Sequence, residues 1–173
     1  MESPRLFIFI GYPGAGKTTI SKIIAEQTGA KHLWADVERH RLFPNPTHSP
    51  QESAELYERL NEATDYLLKQ GKSVVFDTNF NFFVDREKLR EIAKQNNAQT
   101  VLIWVNTPER IAKERSVKTK QSRNLYSMNM SSDQFDSIVS KMEKPKEKES
   151  AVIIDGSNLD KQTVLDQLNL KPH

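Results

Sequence analysis

Short apolar runs alternate with longer amphipathic stretches along this chain of 173 residues. The apolar runs predict five strands, at residues 6–10, 32–35, 73–76, 100–105 and 151–154. The amphipathic stretches predict helices at about 18–28, 51–70, 84–96, 108–119, 132–143 and 160–168. Strands that alternate with helices are typical of a parallel sheet with helices on both faces. The pattern therefore predicts a three-layer α/β fold with a five-stranded parallel sheet.

Two of these runs indicate strands at the centre of the sheet. Residues 7–10 and 101–105 are apolar at every position, as expected for strands that are buried on both faces. The segment from Phe43 to Pro50 contains three prolines and breaks the helical pattern. We expect it to be a surface loop, and the sequence leaves open whether it is a plain connector or binds a substrate.

Composition narrows the possible classes of function. The 25 Lys and Arg residues nearly balance the 23 Asp and Glu residues, so the net charge of +2 does not by itself indicate nucleic-acid or membrane binding. There is no cysteine for a disulfide or a thiolate metal site, and the apolar runs are too short for a membrane span or a signal peptide. We expect a single cytoplasmic domain over residues 1–173 that does not enter a membrane. Its oligomeric state stays open.

The strongest motif lies between the first strand and the first helix. Residues 11–18 read Gly-Tyr-Pro-Gly-Ala-Gly-Lys-Thr, which is the phosphate-binding loop pattern in its expected strand–helix context. Its glycines let backbone N–H groups converge on an anion, and the helix that follows adds partial positive charge. The motif predicts ATP and Mg²⁺ as cofactors, with Lys17 on the β- and γ-phosphates and Thr18 on the metal. The nucleotide contacts are predicted at Gly11, Pro13, Gly14, Ala15, Gly16, Lys17, Thr18 and Thr19.

Polar residues follow the second and third strands, where ligands bind in parallel sheets. Asp36 comes after the second strand, where a carboxylate could accept the proton of an attacking hydroxyl. An N-cap role at the start of a helix-like stretch over 37–42 explains the same residue. Asp77 follows the third strand and is predicted to organise Mg²⁺ together with Thr18, unless it is only a turn carboxylate.

A basic segment follows the fourth strand. Residues 110–123 contain six Lys and Arg residues and one acid, which is Glu114. An arginine there could stabilise the charge of a phosphoryl group in transfer, and Arg115 is the first choice for this catalytic and nucleotide-binding role. We expect a small helical lid over about 115–130. An exposed charged helix face would have the same composition.

Taken together, these residues resemble the small P-loop kinases of the polynucleotide-kinase type, with their chloramphenicol phosphotransferase-like, gluconate kinase-like and zeta-toxin-like relatives. The resemblance covers nearly the whole chain and includes an AAA-type ATP-binding domain. It rests on the phosphate-binding loop, on residues 34–39 (Trp-Ala-Asp-Val-Glu-Arg), on residues 75–80 (Val-Phe-Asp-Thr-Asn-Phe) and on residues 105–109. Phe135 and Glu143-Lys144-Pro145 are further matches.

The resemblance implies roles for individual residues. It implies that Asp36 is the general base and that Arg115 binds the β- or γ-phosphate. It also implies that the acceptor is held by Arg39, with Asn79 or Arg86. The chain departs from the family at Thr119, where a second lid arginine is common, and Lys118, Lys120 or Arg123 could supply that charge.

The acceptor remains the open question. The Asp77-Thr78-Asn79 run is similar to that of phage-type polynucleotide 5′-kinases, which favours a nucleic-acid 5′-hydroxyl. Five aromatic residues could stack on a base, namely Trp34, Phe43, Phe80, Phe82 and Phe83. A small-molecule alcohol, such as an antibiotic, a sugar or a nucleotide sugar, would use the same scaffold. A nucleotide-dependent ATPase switch is the alternative outside the kinases.

Overall fold

A single parallel sheet forms the centre of the molecule. The computed structural model describes residues 3–117 and 130–170. The strands are β1 (Arg5–Ile10), β2 (Lys31–Trp34), β3 (Val74–Asp77), β4 (Gln99–Val105) and β5 (Val152–Ile154). They pair in the order β2-β3-β1-β4-β5, and every pairing is parallel. The predicted α/β fold with five parallel strands is confirmed.

The helices of the described residues agree closely with the predicted ones. They are α1 (Lys17–Thr28), α2 (Ala35–Leu42), α3 (Pro50–Lys69), α4 (Phe83–Gln95), α5 (Glu109–Val117), α6 (Ser132–Lys141) and α7 (Lys161–Gln167), with a short 3₁₀ turn at Glu147–Glu149. Helix α3 begins at a proline because the first helical position needs no N–H donor, and the Ser49 hydroxyl accepts a hydrogen bond from the Glu52 amide. The loop predicted between Phe43 and Pro50 thus ends where α3 begins.

Alternation along β1 divides the core into two layers. Phe7 and Phe9 face one cluster of buried residues, which includes side chains of α1 and α7. Leu6, Ile8 and Ile10 face the opposite cluster, with side chains of α3 and α4. Strand β1 is therefore buried on both faces, as its apolar run predicts.

The topology sets where a ligand can bind. The chain continues from β1 to β2 and β3 on one side of β1, and then to β4 and β5 on the other. Ligands of open α/β sheets bind at the carboxyl ends of strands where the order reverses in this way. The phosphate-binding loop, Asp36 and Asp77 all lie at the carboxyl ends of strands in this part of the sheet.

Most of the predicted lid lies outside the described residues. Of residues 115–130, the structure describes 115–117, at the end of α5, and residue 130. Lys118, Thr119, Lys120 and Arg123 belong to the undescribed part. Within the described ranges, no helix is both long and apolar enough to cross a lipid bilayer.

Candidate nucleotide-binding and active site

The phosphate-binding loop joins β1 to α1 through two glycines in the left-handed region. Gly14 has a φ of 76° and Gly16 a φ of 109°, values that an L side chain would strain. Gly16 is the N-cap of α1, and no side chain of the described residues caps this end. Since the first N–H groups of a helix have no partner within it, the amino end of α1 presents donors and partial positive charge to an anion.

Two neighbouring segments hold this loop in place. A Cβ atom added to Gly14 would lie 2.4 Å from the carbonyl oxygen of Ala112 in α5. A Cβ atom added to Gly16 would lie 2.3 Å from a methyl group of Leu159, in the segment after β5. The Thr107 hydroxyl also donates a hydrogen bond of 2.7 Å to the carbonyl of Ala15. The loop is thus packed between α5 and the segment 156–159.

The ammonium group of Lys17 lies within the loop itself. Its Nζ atom donates to the carbonyl oxygens of Gly11 at 2.9 Å and Tyr12 at 2.8 Å. Burial lowers the pKa of Lys17 to about 8, against the attraction of the Asp77 and Asp36 carboxylates, which favour the charged form. Lys17 therefore carries its charge at neutral pH next to two acids.

Thr18 and Asp77 meet as the sequence predicts for a magnesium site. The Thr18 hydroxyl donates to Asp77 Oδ1 at 3.3 Å, and His32 Nε2 lies 3.0 Å from Asp77 Oδ2. The Asp77 side chain is only 3% exposed. A hydroxyl and a carboxylate fit Mg²⁺, which commonly takes one or two protein oxygens together with phosphates and waters. The described residues contain no cluster of three or more His, Cys, Asp or Glu residues that would form a separate metal site.

Asp36 lies on the wall of the same cavity as Lys17, Thr18 and Asp77. It is the second residue of α2, whose N-cap is Trp34, so the N-cap alternative for Asp36 is wrong. Burial raises the pKa of the Asp36 carboxyl, and the negative charge of Asp77 raises it further. His40 Nδ1 donates to the backbone carbonyl of Asp36 at 2.9 Å. The Asp36 carboxyl thus lines the same cavity as the phosphate-binding loop and has an increased affinity for a proton.

Asn79 also lies at this cavity. Its side-chain oxygen accepts a hydrogen bond of 3.3 Å from the Gly11 amide, which links the end of β3 to the start of the phosphate-binding loop. The neighbouring Thr78 hydroxyl hydrogen-bonds the Tyr57 hydroxyl of α3 at 2.9 Å. The polar run after β3 therefore faces the site.

Arg115 contacts the phosphate-binding loop from α5. Its guanidinium donates to the carbonyls of Gly156 at 2.8 Å, Ser157 at 3.4 Å and Gly14 at 3.5 Å. Arg115 also lines the cavity, so the structure brings it together with Lys17 and Thr18.

Arg39 and Arg86, predicted to hold the acceptor, lie outside this cavity. Arg39 is 7% exposed and pairs with Glu52 at 2.5 Å. Arg86 is completely buried, and two of its nitrogens donate to Glu149 at 2.7 and 2.9 Å. Both arginines therefore form ion pairs inside the protein. One pair joins α2 to α3 and the other joins α4 to the 3₁₀ turn, and the sequence pattern predicts neither contact.

The cavity has a volume of about 1080 Å³, enough for a nucleotide and an acceptor. Several lining residues belong to none of the motifs found in the sequence: His40, His48, Tyr57, Ser157, Asn158 and Leu159. They lie in α2, in α3, in the proline-rich segment and in the segment after β5, and they have no shared motif. His48 had one available signal, because it lies in the proline-rich segment that could bind a substrate. That segment does reach the cavity, held by hydrogen bonds from Thr47 to the Glu52 carboxylate.

Fold and site together define the class of this molecule, which is an α/β protein with a five-stranded parallel sheet and a phosphate-binding loop. A family model described as an AAA domain matches residues 6–145, and the chain belongs to this family. Two similar structures are an unliganded sugar kinase from Janibacter sp. HTCC2649 and the Mycobacterium tuberculosis APS kinase in complex with AMPPNP and APS. The first has a TM-score of 0.71 at 19% identity and covers 99% of this chain and 97% of that one. The second has a TM-score of 0.66 at 16% identity and covers 98% of each chain.

Curated relatives share a higher identity over a shorter stretch. The 2′,3′-cyclic-nucleotide 3′-phosphodiesterase of Rattus norvegicus is 31% identical over 113 residues, which are 64% of this chain and 26% of the relative. The enzyme of the same name from Mus musculus matches to the same extent. The chain thus spans about a quarter of the length of the curated relatives it matches.

Proposed function

We propose that this protein is an ATP-dependent kinase that transfers the γ-phosphoryl group to an alcohol, with a polynucleotide 5′-hydroxyl as the favoured acceptor. The observation that carries the proposal is the position of Asp36, on the wall of the cavity formed by Lys17, Thr18 and Asp77. A simple nucleotide-binding module or switch does not need a second carboxylate there. A kinase needs one to orient the acceptor hydroxyl and take its proton.

The other residues divide the work of positioning and charge stabilisation. The amides at the start of α1 bind the phosphates, and Lys17 exchanges its carbonyl acceptors for phosphate oxygens when ATP binds. Arg115 lies close enough to the loop to add a second cation for the charge that spreads during transfer. Thr18 and Asp77 would hold Mg²⁺, which would supply positive charge to neutralise the phosphates. Asn79 and Asp36 also line the cavity and would contact the acceptor.

Different observations support a nucleic-acid acceptor and a small-molecule acceptor. The Asp77-Thr78-Asn79 run and the 31% identity to an enzyme named for cyclic nucleotides support a nucleic-acid acceptor. The neighbours named sugar kinase and APS kinase support a small-molecule alcohol as the second candidate. Because the match covers only 26% of the phosphodiesterase, we do not propose phosphodiesterase activity for this chain.

A transfer assay with γ-labelled ATP tests the proposal. The acceptors are 5′-hydroxyl oligonucleotides, nucleoside 3′-monophosphates, sugars and other small alcohols, each offered separately with Mg²⁺. Label on the oligonucleotide supports the favoured acceptor, and label only on a small alcohol supports the second candidate. ADP release with no labelled acceptor would contradict the kinase proposal and support an ATPase switch.

A further inference from the structure

The five aromatic residues that could stack on a base differ in their contacts and in their exposure. The Trp34 ring is already stacked on His32, with centroids 5.8 Å apart and planes at 5°, and Lys22 Nζ lies 4.9 Å from its centroid. Phe43 and Phe80 pack in the core layer beneath α3 and α4. Phe82 differs because it is 41% exposed. It directly follows Asn81, which lines the cavity.

Two lysines from a distant segment lie over the Phe83 ring. Lys148 Nζ lies 4.7 Å and Lys146 Nζ 5.4 Å from the centroid of its ring. Two hydrogen bonds fix this arrangement. The Glu143 amide donates to the Asn81 carbonyl at 2.9 Å, and the Phe83 amide donates to Glu143 Oε2 at 2.7 Å. The segment that carries the lysines is therefore joined to residues 81–83, and both lysines lie over the Phe83 ring.

Glu149, the buried acid of this segment, pairs with arginines and not with these lysines. Glu149 accepts from Arg86 at 2.7 and 2.9 Å and from Arg90 at 3.0 Å. Among the described residues, the ion pairs include neither Lys146 nor Lys148. Both lysines are exposed, as is Lys144. Their ammonium groups remain available to an anionic partner.

We propose that the surface formed by Phe82, Phe83, Lys144, Lys146 and Lys148, the Phe–Lys rim, binds the single-stranded nucleic acid that continues beyond the acceptor nucleotide. Aromatic rings that stack on bases, beside lysines that contact phosphates, are typical of single-strand binding. The inference rests on the proposed function, since it places the rest of a polynucleotide whose 5′ end lies in the cavity. A small alcohol fits inside the cavity and does not reach the rim.

Direct binding is measured first, without ATP. The probe is a single strand of about 12 nucleotides with a free 5′-hydroxyl and a fluorophore at its 3′ end, followed by fluorescence anisotropy over a series of salt concentrations. The double variant Lys146→Glu/Lys148→Glu is expected to raise Kd by about 10-fold or more and to reduce the salt dependence of log K by roughly one per lost phosphate contact. Phe82→Ala is expected to raise Kd by about 10-fold without changing the salt dependence.

The matched control is Lys69→Glu/Lys72→Glu, a reversal of the same charge at exposed positions just before the amino end of β3, the strand whose carboxyl end lies at the cavity. It is expected to change Kd by less than about 2-fold, because net charge alone acts weakly at a distance in salt. Equal losses in the rim and control variants, or no loss in the rim variants, would overturn the inference. Thermal unfolding of each variant shows whether it is folded.

Kinetics then connect the rim to the acceptor. The rim variants are expected to raise KM for the 12-mer about 10-fold while KM for a nucleoside 3′-monophosphate stays the same. A wild-type protein that labels small alcohols but binds no oligonucleotide refutes the rim and leaves the kinase proposal standing. Specific binding at the rim with no transfer to any acceptor supports the surface and refutes the kinase.

Discussion

At the scale of single residues, burial acts in opposite directions on the two charged groups that matter most. It raises the pKa of the Asp36 carboxyl and lowers that of the Lys17 ammonium to about 8. Both groups are thus held in environments that disfavour their charged forms before any ligand binds. Such opposed shifts within one cavity are typical of sites that bind and transfer charged groups.

The first prediction concerns Asp36. Asp36→Asn should lower turnover by about 10²–10⁴-fold, because the acceptor hydroxyl loses its general base, while ATP affinity stays within about 2-fold. In the wild type, turnover should rise with pH as Asp36 loses its proton, with a midpoint above the ordinary value of 3.8. Steady-state kinetics against pH and calorimetric titration with ATP measure the two effects.

The control is Asp133→Asn, at an exposed aspartate in the first turn of α6. It should retain both the turnover and the rise with pH. An Asp36→Asn variant with normal turnover would remove this carboxylate from the mechanism.

The second prediction concerns Lys17 in the protein without nucleotide. Since its folded pKa of about 8 lies below the ordinary lysine pKa of 10.5, the unfolded chain binds more protons between these values, and stability should rise with pH there. From pH 8 to 10 the contribution is about 2 kcal/mol. Lys17→Met should lose this increase, and ATP binding with it. Urea unfolding of both proteins at pH 7 and pH 10 tests the sign, and an equal pH dependence in both would contradict it.

At the scale of elements, the site depends on contacts between the phosphate-binding loop and the segments around it. Helix α5 and the segment 156–159 close on Gly14 and Gly16. From α6, the buried Phe135 ring lies 6.2 Å from the ring of Tyr12. Phe135, a match to the kinase family in the sequence, therefore acts in the packing that supports the loop.

The third prediction separates backbone strain from this close packing. Gly14→Ala adds a methyl group at a φ of 76° that would lie 2.4 Å from the Ala112 carbonyl. Gly29→Ala has a similar φ of 67° with nothing within 4 Å. Both variants should lose about 1 kcal/mol to strain. Only Gly14→Ala should also displace α5 and weaken ATP binding by 10-fold or more, as measured by calorimetry. Similar ATP affinities in the two variants would show that α5 does not hold the loop.

The elements and the nucleotide side of the site could be predicted because their signals are local. The phosphate-binding loop is contiguous, and the edge rule for parallel sheets brings Asp36 and Asp77 to it without any knowledge of side-chain packing. The pairing of His32 with Asp77 could not be predicted, since it depends on the register of β2 against β3 and on side-chain packing. Arg39 and Arg86 show the same limit. Their charge suggested substrate contacts. The fold instead places Glu52 beside Arg39 and Glu149 beside Arg86 as ion-pair partners.

At the scale of the whole molecule, these two buried ion pairs join elements around the site. Arg39 and Glu52 link α2 to α3, and Glu52 also accepts hydrogen bonds from Thr47 in the segment that carries His48. Arg86 and Glu149 link α4 to the 3₁₀ turn before β5. Although burial alone would raise it, hydrogen bonds from Arg86, Lys146 and Arg90 lower the pKa of Glu149 to about 2. Glu149 therefore contributes stability above pH 4.5 that is lost as the pH falls toward 2.

The last prediction concerns Arg86 in the buried ion pair with Glu149. Arg86→Met should lower the free energy of unfolding by about 3 kcal/mol, because it leaves the Glu149 charge buried with only Arg90 to compensate it. For a chain of this size such a loss lowers Tm by roughly 10 °C. The double variant Arg86→Met/Glu149→Met should recover part of the loss, since a buried ion pair is often replaceable by apolar side chains. Thermal and urea unfolding measure both variants.

The exposed pair Arg59–Glu55, 56% and 50% exposed, provides the comparison. Arg59→Met should cost no more than about 1 kcal/mol, because solvent screens that pair. Since Arg86 lies outside the cavity, the folded Arg86→Met protein should still bind ATP with an affinity within about 2-fold of the wild type at a temperature below its transition. A folded variant that loses the acceptor but not ATP would instead return Arg86 to the role that the sequence suggested, as a substrate contact.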